Sequence, residues 1–264
     1  MGEAVKLKRD GGLAIVTLDR PGAMNALNMD LSDGLVDAVV ACDEDPNVRA
    51  VLITGEGSVF CAGGDIRAML ENADDDGRVG VFLKKLTIGL HAAIATIARM
   101  PKPVIAAVNG TAAGAGFSLA MGCDLILAAD TAKFTMAYTK IGLVPDGSST
   151  YFLPRLVGSR RALDLMLTNR VLSANEARDI GIVSEIYPEK EFAAKARAFA
   201  GDLAAGPTQA YGFAKRLVTQ SGAESLETQM EHERRAIAAC GNSEDFREGT
   251  AAFLEKRKPD YVGR

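Results

Sequence analysis

The feature that most constrains the fold of this chain is an uncharged stretch of 21 residues, Pro103–Cys123. Its length alone would allow it to span a lipid bilayer. However, it contains Asn109-Gly110 and four glycines, its hydropathy is modest, and Asp124 follows immediately. These properties favour a buried strand, a tight turn and a buried helix of small residues. We therefore expect the stretch to form part of a globular core, with no membrane partner.

The surrounding sequence alternates between short apolar runs and helical periods. Strands and helices are predicted, in chain order, at Leu27–Cys42, Ala50–Thr54, Val79–Met100, Val104–Val108 and Asp124–Ala129. After Gly147 nearly every segment has a helical pattern. This order predicts the α/β class, with an α/β core in residues 1–205 and a C-terminal helical region in residues 206–264.

Composition excludes several classes of function. The chain has 2 His and 4 Cys, so a His-rich metal site is excluded, and the widely spaced cysteines argue against a disulfide-stapled secreted domain. The net charge is −4 and no long basic run is present, so no nucleic-acid partner is expected. The first residues lack the apolar segment of a secretory signal, so we expect a cytoplasmic protein, or an organelle-matrix protein whose targeting peptide is absent.

Two segments place small residues where a strand gives way to a helix, Cys61–Ile66 and Thr111–Gly116. Backbone N–H groups at a helix start have no intrahelical partner, and small residues let a ligand oxygen approach them. Two such groups converging on a carbonyl oxygen would stabilise an enolate, each lowering the barrier by about 2.7–4 kcal/mol. Ordinary strand-to-helix turns would have the same pattern. The second segment lacks the third glycine of a dinucleotide-binding fingerprint.

One carboxylate and one hydroxyl stand out as candidate reactive groups. Asp146 lies in an otherwise apolar loop before a helix, where it could act as a general acid or base, although Pro-Asp-Gly is also ordinary turn chemistry. Ser118, with Asp146 and His232 downstream, follows the order of an α/β-hydrolase triad. A helix already in progress at Ser118 and charged neighbours around His232 argue against that arrangement. His91 has apolar helical neighbours, which is typical of a packed or capping histidine.

Several ordered motifs resemble those of the crotonase (enoyl-CoA hydratase/isomerase) superfamily over essentially the whole chain. They are Arg20-Pro21 with Asn25-Ala26-Leu27, Phe60–Ile66, Lys102–Gly110, Ala112–Gly116, Cys123-Asp124, Ile141–Asp146 and Leu153–Gly158. The resemblance implies a spiral of ββα units followed by a C-terminal helical trimerisation region, assembled as a homotrimer or as a hexamer built from two trimers. It also implies an acyl-CoA thioester substrate and no separate cofactor or metal, since CoA is part of the substrate.

The resemblance also assigns residues by motif position. It places the oxyanion N–H groups at Gly64 and Ala115. The residues implied to contact the substrate or its CoA are Met24, Ala26, Leu27, Ala62, Gly63, Asp65, Ile66 and Gly114. Phe253 and Lys256 are implied to approach the CoA of the same or a neighbouring subunit.

The chain departs from the family's hydratases at the two positions where they carry glutamates. Ser118 and Tyr138 stand there, and neither hydroxyl substitutes well for a carboxylate near neutral pH. Asp146 falls where family isomerases, including the ring-epoxide isomerases of phenylacetyl-CoA breakdown, and aryl-CoA dehalogenases carry their acidic residue. The absence of Trp argues against a dehalogenase.

The function implied is an acyl-CoA isomerase in which Asp146 moves a proton from Cγ to Cα, while Ser118 and Tyr138 shape the pocket. Two alternatives stay open. One is an enoyl-CoA hydratase of the fatty-acid β-oxidation type, in which Asp146 and a bound water suffice. The other is a non-catalytic acyl-CoA-binding subunit.

Overall fold

The structure, a computed structural model, describes residues 4–264. Its strands are β1 (Val5–Asp10), β2 (Leu13–Leu18), β3 (Ala50–Gly55), β4 (Val59–Cys61), β5 (Val104–Val108), β6 (Thr111–Ala113), β7 (Leu125–Ala129), β8 (Lys133–Thr135), β9 (Leu172–Ser173) and β10 (Glu185–Tyr187). Its helices are α1 (Met29–Glu44), α2 (Ile66–Glu71), α3 (Gly80–Arg99), α4 (Ala115–Met121), α5 (Ser149–Val157), α6 (Ser159–Thr168), α7 (Ala174–Asp179), α8 (Glu189–Ala204), α9 (Thr208–Ser221), α10 (Leu226–Gly241) and α11 (Glu244–Glu255). The α/β class is confirmed.

The strands form two sheets. The larger has the order β1-β2-β3-β5-β7-β10, in which β1 and β2 form an antiparallel hairpin and the other neighbours are parallel. The smaller has the order β4-β6-β8-β9, with only the β8–β9 pair antiparallel. All five residues of β5 are buried, as expected for a parallel strand covered on both faces.

Successive strands pass from one sheet to the other before each helix. β3, β5 and β7 of the larger sheet are followed by β4, β6 and β8 of the smaller one, and then by α2, α4 and α5. This confirms the spiral of ββα units. The sequence pattern predicted the turn at Asn109-Gly110 and the buried helix that follows, which is α4, but it did not predict the short strand β6 between them. Three residues are too few to show a strand period, and β6 exists because β4 and β8 supply its backbone partners.

The uncharged stretch is interior, as predicted. It folds into β5, β6 and α4, and every residue of α4 is buried. Phe117 of this helix packs against Phe134 of β8, with ring centroids 5.4 Å apart. The stretch therefore forms the centre of the core, where both sheets meet.

Helix α3 is both long and apolar. By length and composition it is the one helix among residues 4–264 that could cross a membrane. Core helices satisfy the same criterion, and α3 buries one stripe, formed by Leu86, Leu90, Ala93, Ile94 and Ile97. One helix of this kind is only weak evidence for a membrane span.

The C-terminal helices α9–α11 are attached to the core by charged groups. Lys215 Nζ of α9 lies 2.8 Å from Asp124 Oδ2. The Arg49 guanidinium, at the start of β3, donates to the carbonyl oxygens of Gly206 at 2.6 Å and of Tyr261 at 2.8 Å. The division of the chain at residue 206 stays a prediction.

Candidate active site

The first small-residue turn presents one backbone N–H to a cavity. Leu27 N–H donates to Gly63 O at 2.7 Å, and Asp65 N–H donates to Leu27 O at 2.9 Å. These two bonds form a parallel bridge between Leu27 and Gly64. In such a bridge the central residue directs its own N–H away from its partner. Gly64 N–H therefore points to the side opposite Leu27.

The second turn lies directly beside the first. Gly114 N–H donates to Thr135 O at 3.1 Å, and Ala115 is the first residue of α4, so its N–H has no intrahelical acceptor. Gly63 and Gly114 both have positive φ, at 101° and 49°. A Cβ built on either would lie 3.6 Å from the Cα of the other, so the two turns meet at the level of the backbone. Glycine permits both the conformation and the close approach.

A cavity of about 480 Å³ opens beside these turns, between α3 and the segment 137–146. Most of its wall is aliphatic, with Tyr138 as the single aromatic side chain and Asp146 as the single carboxylate among the described residues. Nine of the predicted residues line it, namely Leu27, Ala62, Gly63, Gly64, Ile66, Gly114, Ala115, Tyr138 and Asp146. The cavity thus combines two backbone donors, one acid/base group and an apolar surface.

A chain of hydroxyl groups holds Asp146 in position. Tyr138 Oη donates to Asp146 Oδ1 at 2.6 Å, and Ser118 Oγ lies 2.9 Å from Tyr138 Oη. Burial, together with the neighbouring Asp146 charge, raises the pKa of Tyr138 above its ordinary value, so the phenol keeps its proton. Ser118 and Ser149 hydroxyls each approach the Asp146 carbonyl oxygen, at 2.9 and 2.8 Å. One carboxylate oxygen is therefore held, and Oδ2 is left for chemistry.

Comparison with known proteins identifies this arrangement. A family model described as enoyl-CoA hydratase/isomerase matches residues 8–264. The chain belongs to the enoyl-CoA hydratase/isomerase family. It is 37% identical to the 1,2-epoxyphenylacetyl-CoA isomerase of Escherichia coli over 96% of each protein. It is 40% identical to a probable enoyl-CoA hydratase of Rhodobacter capsulatus, covering 96% of this chain and 95% of the relative.

Solved structures show the same fold. The crystal structure of an enoyl-CoA hydratase from Polaromonas matches with a TM-score of 0.91 and 36% identity, covering 97% of this chain and 99% of the other. The protein is accordingly an enzyme of a family that acts on acyl-CoA thioesters. These relatives carry different reaction names, so family membership does not decide the individual reaction.

Three further predicted residues, Met24, Ala26 and Asp65, lie next to the first turn. Asp65 caps α2 by accepting from the N–H groups of Arg67 and Ala68, and its Oδ2 lies 3.0 Å from the Arg20 guanidinium. Burial opposes ionisation of Asp65, but these hydrogen bonds and the Arg20 charge outweigh it and lower its pKa. Ala26 is buried, with its carbonyl oxygen accepting from Arg20, and Met24 is 58% exposed at positive φ.

The structure does not bring the C-terminal residues to this cavity within one chain. Phe253 is 82% exposed and borders a separate apolar groove between α9 and α11. Lys256 ends α11 in a left-handed conformation. Their approach to CoA stays a prediction, and it concerns a surface that a second subunit could bring near the substrate.

Ser118 is not a hydrolase nucleophile. It lies inside α4, and its hydroxyl contacts Gly114 O, Tyr138 Oη and Asp146 O, with no histidine partner among the described residues. A nucleophile elbow would instead expose the serine on a sharp turn between a strand and a helix. The sequence argument against a triad was therefore sound.

His91 is the functional candidate that the sequence analysis undervalued. The expected packed or capping role is wrong, because the side chain is 53% exposed and its Nε2 accepts from the loop N–H of Gly147 at 3.2 Å, while the same atom lies 3.8 Å from Asp146 Oδ2. The imidazole also lines the cavity. The sequence signal that could have placed His91 at the cavity is helical spacing. Leu83, Thr87 and His91 recur every four residues and therefore share one face of α3.

Proposed function

We propose that the protein is an acyl-CoA isomerase that shifts a double bond through a thioester dienolate. The observation that carries this proposal is that Asp146 is the only carboxylate lining the cavity in the described part of the chain. A single carboxylate is sufficient for a proton shift between two carbons of one substrate, because it ends each cycle in its starting protonation state.

The reaction can be followed atom by atom from a 3-enoyl thioester. Asp146 Oδ2 takes a proton from Cα, so the C–H bond breaks, an O–H bond forms and the electron pair moves toward the thioester oxygen. Gly64 and Ala115 N–H groups donate to that oxygen as its negative charge grows. Oδ2 then returns the proton to Cγ, and the double bond lies between Cα and Cβ. The reverse direction uses the same steps.

The hydroxyl chain supports this role of Asp146. Because Tyr138 Oη occupies Oδ1, the carboxylate presents Oδ2 in a fixed orientation. Tyr138 itself is unsuited to act as a base at neutral pH, since burial raises its pKa. Ser118 supports Tyr138, so the two residues at the hydratases' glutamate positions serve here to position the one carboxylate.

Hydration is the second candidate, and one observation favours it. Adding water across a double bond needs groups that handle two protons, and His91 Nε2 lies 3.8 Å from Asp146 Oδ2 at the edge of the cavity. A water between them would contact both groups. We rank hydration second because Asp146 is the only carboxylate that lines the cavity among the described residues. Aryl dehalogenation is less well supported, since only Tyr138 among the described lining residues is aromatic and its hydroxyl is held.

A panel of acyl-CoA esters, read by mass spectrometry, separates these reactions. The isomerase proposal predicts that a 3-enoyl-CoA becomes a 2-enoyl-CoA of unchanged mass, and that crotonyl-CoA gains no water. Formation of a 3-hydroxyacyl-CoA would establish the hydratase instead. Binding of the esters that survives Asp146→Ala, with no turnover of any ester, would establish a non-catalytic acyl-CoA-binding subunit.

The assembly proposed for this enzyme is a cytoplasmic homotrimer or a dimer of trimers, with neither nucleic acid nor membrane as partner and no cofactor beyond CoA in the substrate. Large apolar side chains exposed on the C-terminal helices support self-association, among them Ile237, Phe253 and Leu254. Light scattering on the purified protein tests this, and a monomer at micromolar concentration would contradict it.

A further inference from the structure

The imidazole of His91 separates two cavities. The first is the active-site cavity described above. The second has a volume of about 430 Å³ and lies between α3, α5 and α9, where Ala95, Ala98, Arg99 and Tyr151 form part of its wall. Of the described residues, His91 is the only one that lines both cavities. Its side chain is 53% exposed, so water reaches the ring.

The hydrogen bond at Nε2 decides which ring nitrogen of His91 is left to carry a proton. Because the Nε2 lone pair accepts from Gly147 N–H, that position is Nδ1. Nε2 therefore carries no proton, and it lies 3.8 Å from Asp146 Oδ2. The other charged groups that line the two cavities are Lys84 and Lys140 in the first and Arg99 in the second. Among the described residues that line either cavity, Asp146 is thus the only anionic one.

We propose that His91 exchanges the proton held by Asp146 during the dienolate stage with water in the second cavity. This inference rests on the proposed isomerase chemistry. The ring first leaves Gly147 N–H and moves toward Oδ2, which closes the 3.8 Å separation to hydrogen-bond distance. The Oδ2–H bond of Asp146 then breaks and an Nε2–H bond forms, which gives an imidazolium beside a carboxylate. The ring turns toward the second cavity and Nε2–H transfers its proton to water. The same steps in reverse deliver a proton from solvent to Oδ2, so the cycle balances without any other reactant.

The proposal predicts where solvent hydrogen appears. If the proton stayed on Asp146, a 3-enoyl-CoA converted in D₂O would give a product with no deuterium at Cγ. Exchange through His91 instead places deuterium at Cγ of the product and at Cα of recovered substrate. The measured quantity is deuterium incorporated per conversion, which does not depend on the overall rate.

The experiment is a single-turnover conversion in D₂O with the full-length enzyme in excess, read by mass spectrometry. We expect wild-type product to carry deuterium and His91→Gln to lower its incorporation per conversion about tenfold, as for loss of a positioned proton-transfer group. Gln keeps an oxygen that can accept from Gly147 N–H, so the loop should hold its place. Circular dichroism of His91→Gln checks its fold.

A second variant tests the cavity rather than the imidazole. Ala95→Met fills part of the second cavity one helical turn beyond His91, without touching Asp146, and should also lower incorporation while kcat is retained. The matched control is Ala92→Met, an exposed position on the same helix that lines neither cavity, and it should incorporate deuterium as the wild type does.

The outcomes separate this inference from the proposed function. Unlabelled wild-type product, or equal incorporation by wild type and His91→Gln, would overturn the exchange role while the isomerase stands. Deuterium in recovered ester without any isomer, lost in His91→Gln, would refute the isomerase and support the exchange. No isomer and no label in any ester would refute both.

Discussion

The two turns proposed to supply the oxyanion donors look alike in sequence but are built differently. At the first, the proposed donor is Gly64, which precedes α2 and is oriented by its bridge to Leu27. The free N–H groups at the start of α2 are not available to a ligand, since the Asp65 side chain accepts from those of Arg67 and Ala68. At the second, the donor is Ala115, the first residue of α4, and no side chain caps that helix.

This difference shows that a helix start is needed for only one of the donors. Asp65 brings a carboxylate to the start of α2, where it uses the free N–H groups and is balanced by Arg20. The bridge from Leu27 then orients Gly64 without help from the helix. At α4 the uncapped first N–H is itself the donor. The second turn also lies beside Tyr138, because a Cβ built on Gly114 would lie 4.0 Å from Tyr138 Cε2. Tyr138 is the residue that donates to Asp146.

Proline substitution at the first residue of each helix should separate the two designs most strongly. Proline is tolerated at this position and removes only the N–H. Ala115→Pro should therefore lower kcat by about 10²–10³, the usual effect of removing one oxyanion donor. Ile66→Pro, its counterpart in α2, removes an N–H that is not a donor and should alter KM more than kcat. Equal losses of kcat would show that both helix starts act in the same way.

Removal of the Tyr138 hydroxyl should give the next largest effect. Tyr138→Phe leaves the ring beside the second turn but frees Asp146 Oδ1, losing a hydrogen bond to a charged group, and should lower kcat about tenfold or more. Ser118→Ala acts one step further away and should have a smaller effect. Steady-state kinetics on a 3-enoyl-CoA provide the comparison. If Ser118→Ala lost more activity than Tyr138→Phe, Ser118 would have to contact the substrate directly.

The cap of the first turn should affect mainly stability. Asp65→Ala removes the N-cap and should lower the free energy of unfolding by about 0.5–2 kcal/mol. Asp65→Asn keeps the cap and loses only the charge paired with Arg20. Urea denaturation of both variants measures this, and a loss by Asp65→Asn as large as that by Asp65→Ala would show that the charge, rather than the cap, matters.

The same residue predicts a dependence on pH. Because the folded pKa of Asp65 is lowered, its contribution is fully present above the ordinary value of 3.8 and is lost as the pH falls through the lower, folded value. Wild type should therefore lose more stability than Asp65→Asn over that acid range. Parallel curves for the two proteins would contradict this origin of the shift.

Elements with a clear period could be predicted from sequence. β5 was predicted at Val104–Val108, which are its bounds in the structure, and the helix predicted at Val79–Met100 is α3, which is one residue shorter at each end. β6, β8 and β9 were missed because each has two or three residues, and their hydrogen bonds come from strands distant in the chain. Patterns within one segment cannot contain that information.

The candidate site, like the fold, could be predicted from sequence only in part. The small-residue turns and Asp146 could be found from local sequence, whereas the aiming of Gly64 depends on Leu27, far away in the chain. The role of His91 was undervalued because it depends on contacts with the loop that α3 faces. Only the folded arrangement shows that its Nε2 meets both Gly147 N–H and Asp146.

The central claim, that Asp146 carries the proton, is tested most directly by the kcat of Asp146→Asn on a 3-enoyl-CoA. The control is Asp164→Asn, the same chemical change at an exposed position of α6 away from the cavity. The account predicts a loss of about 10²–10⁴ for Asp146→Asn with acyl-CoA binding retained, and none for the control. Turnover by Asp146→Asn close to that of the wild type would contradict it.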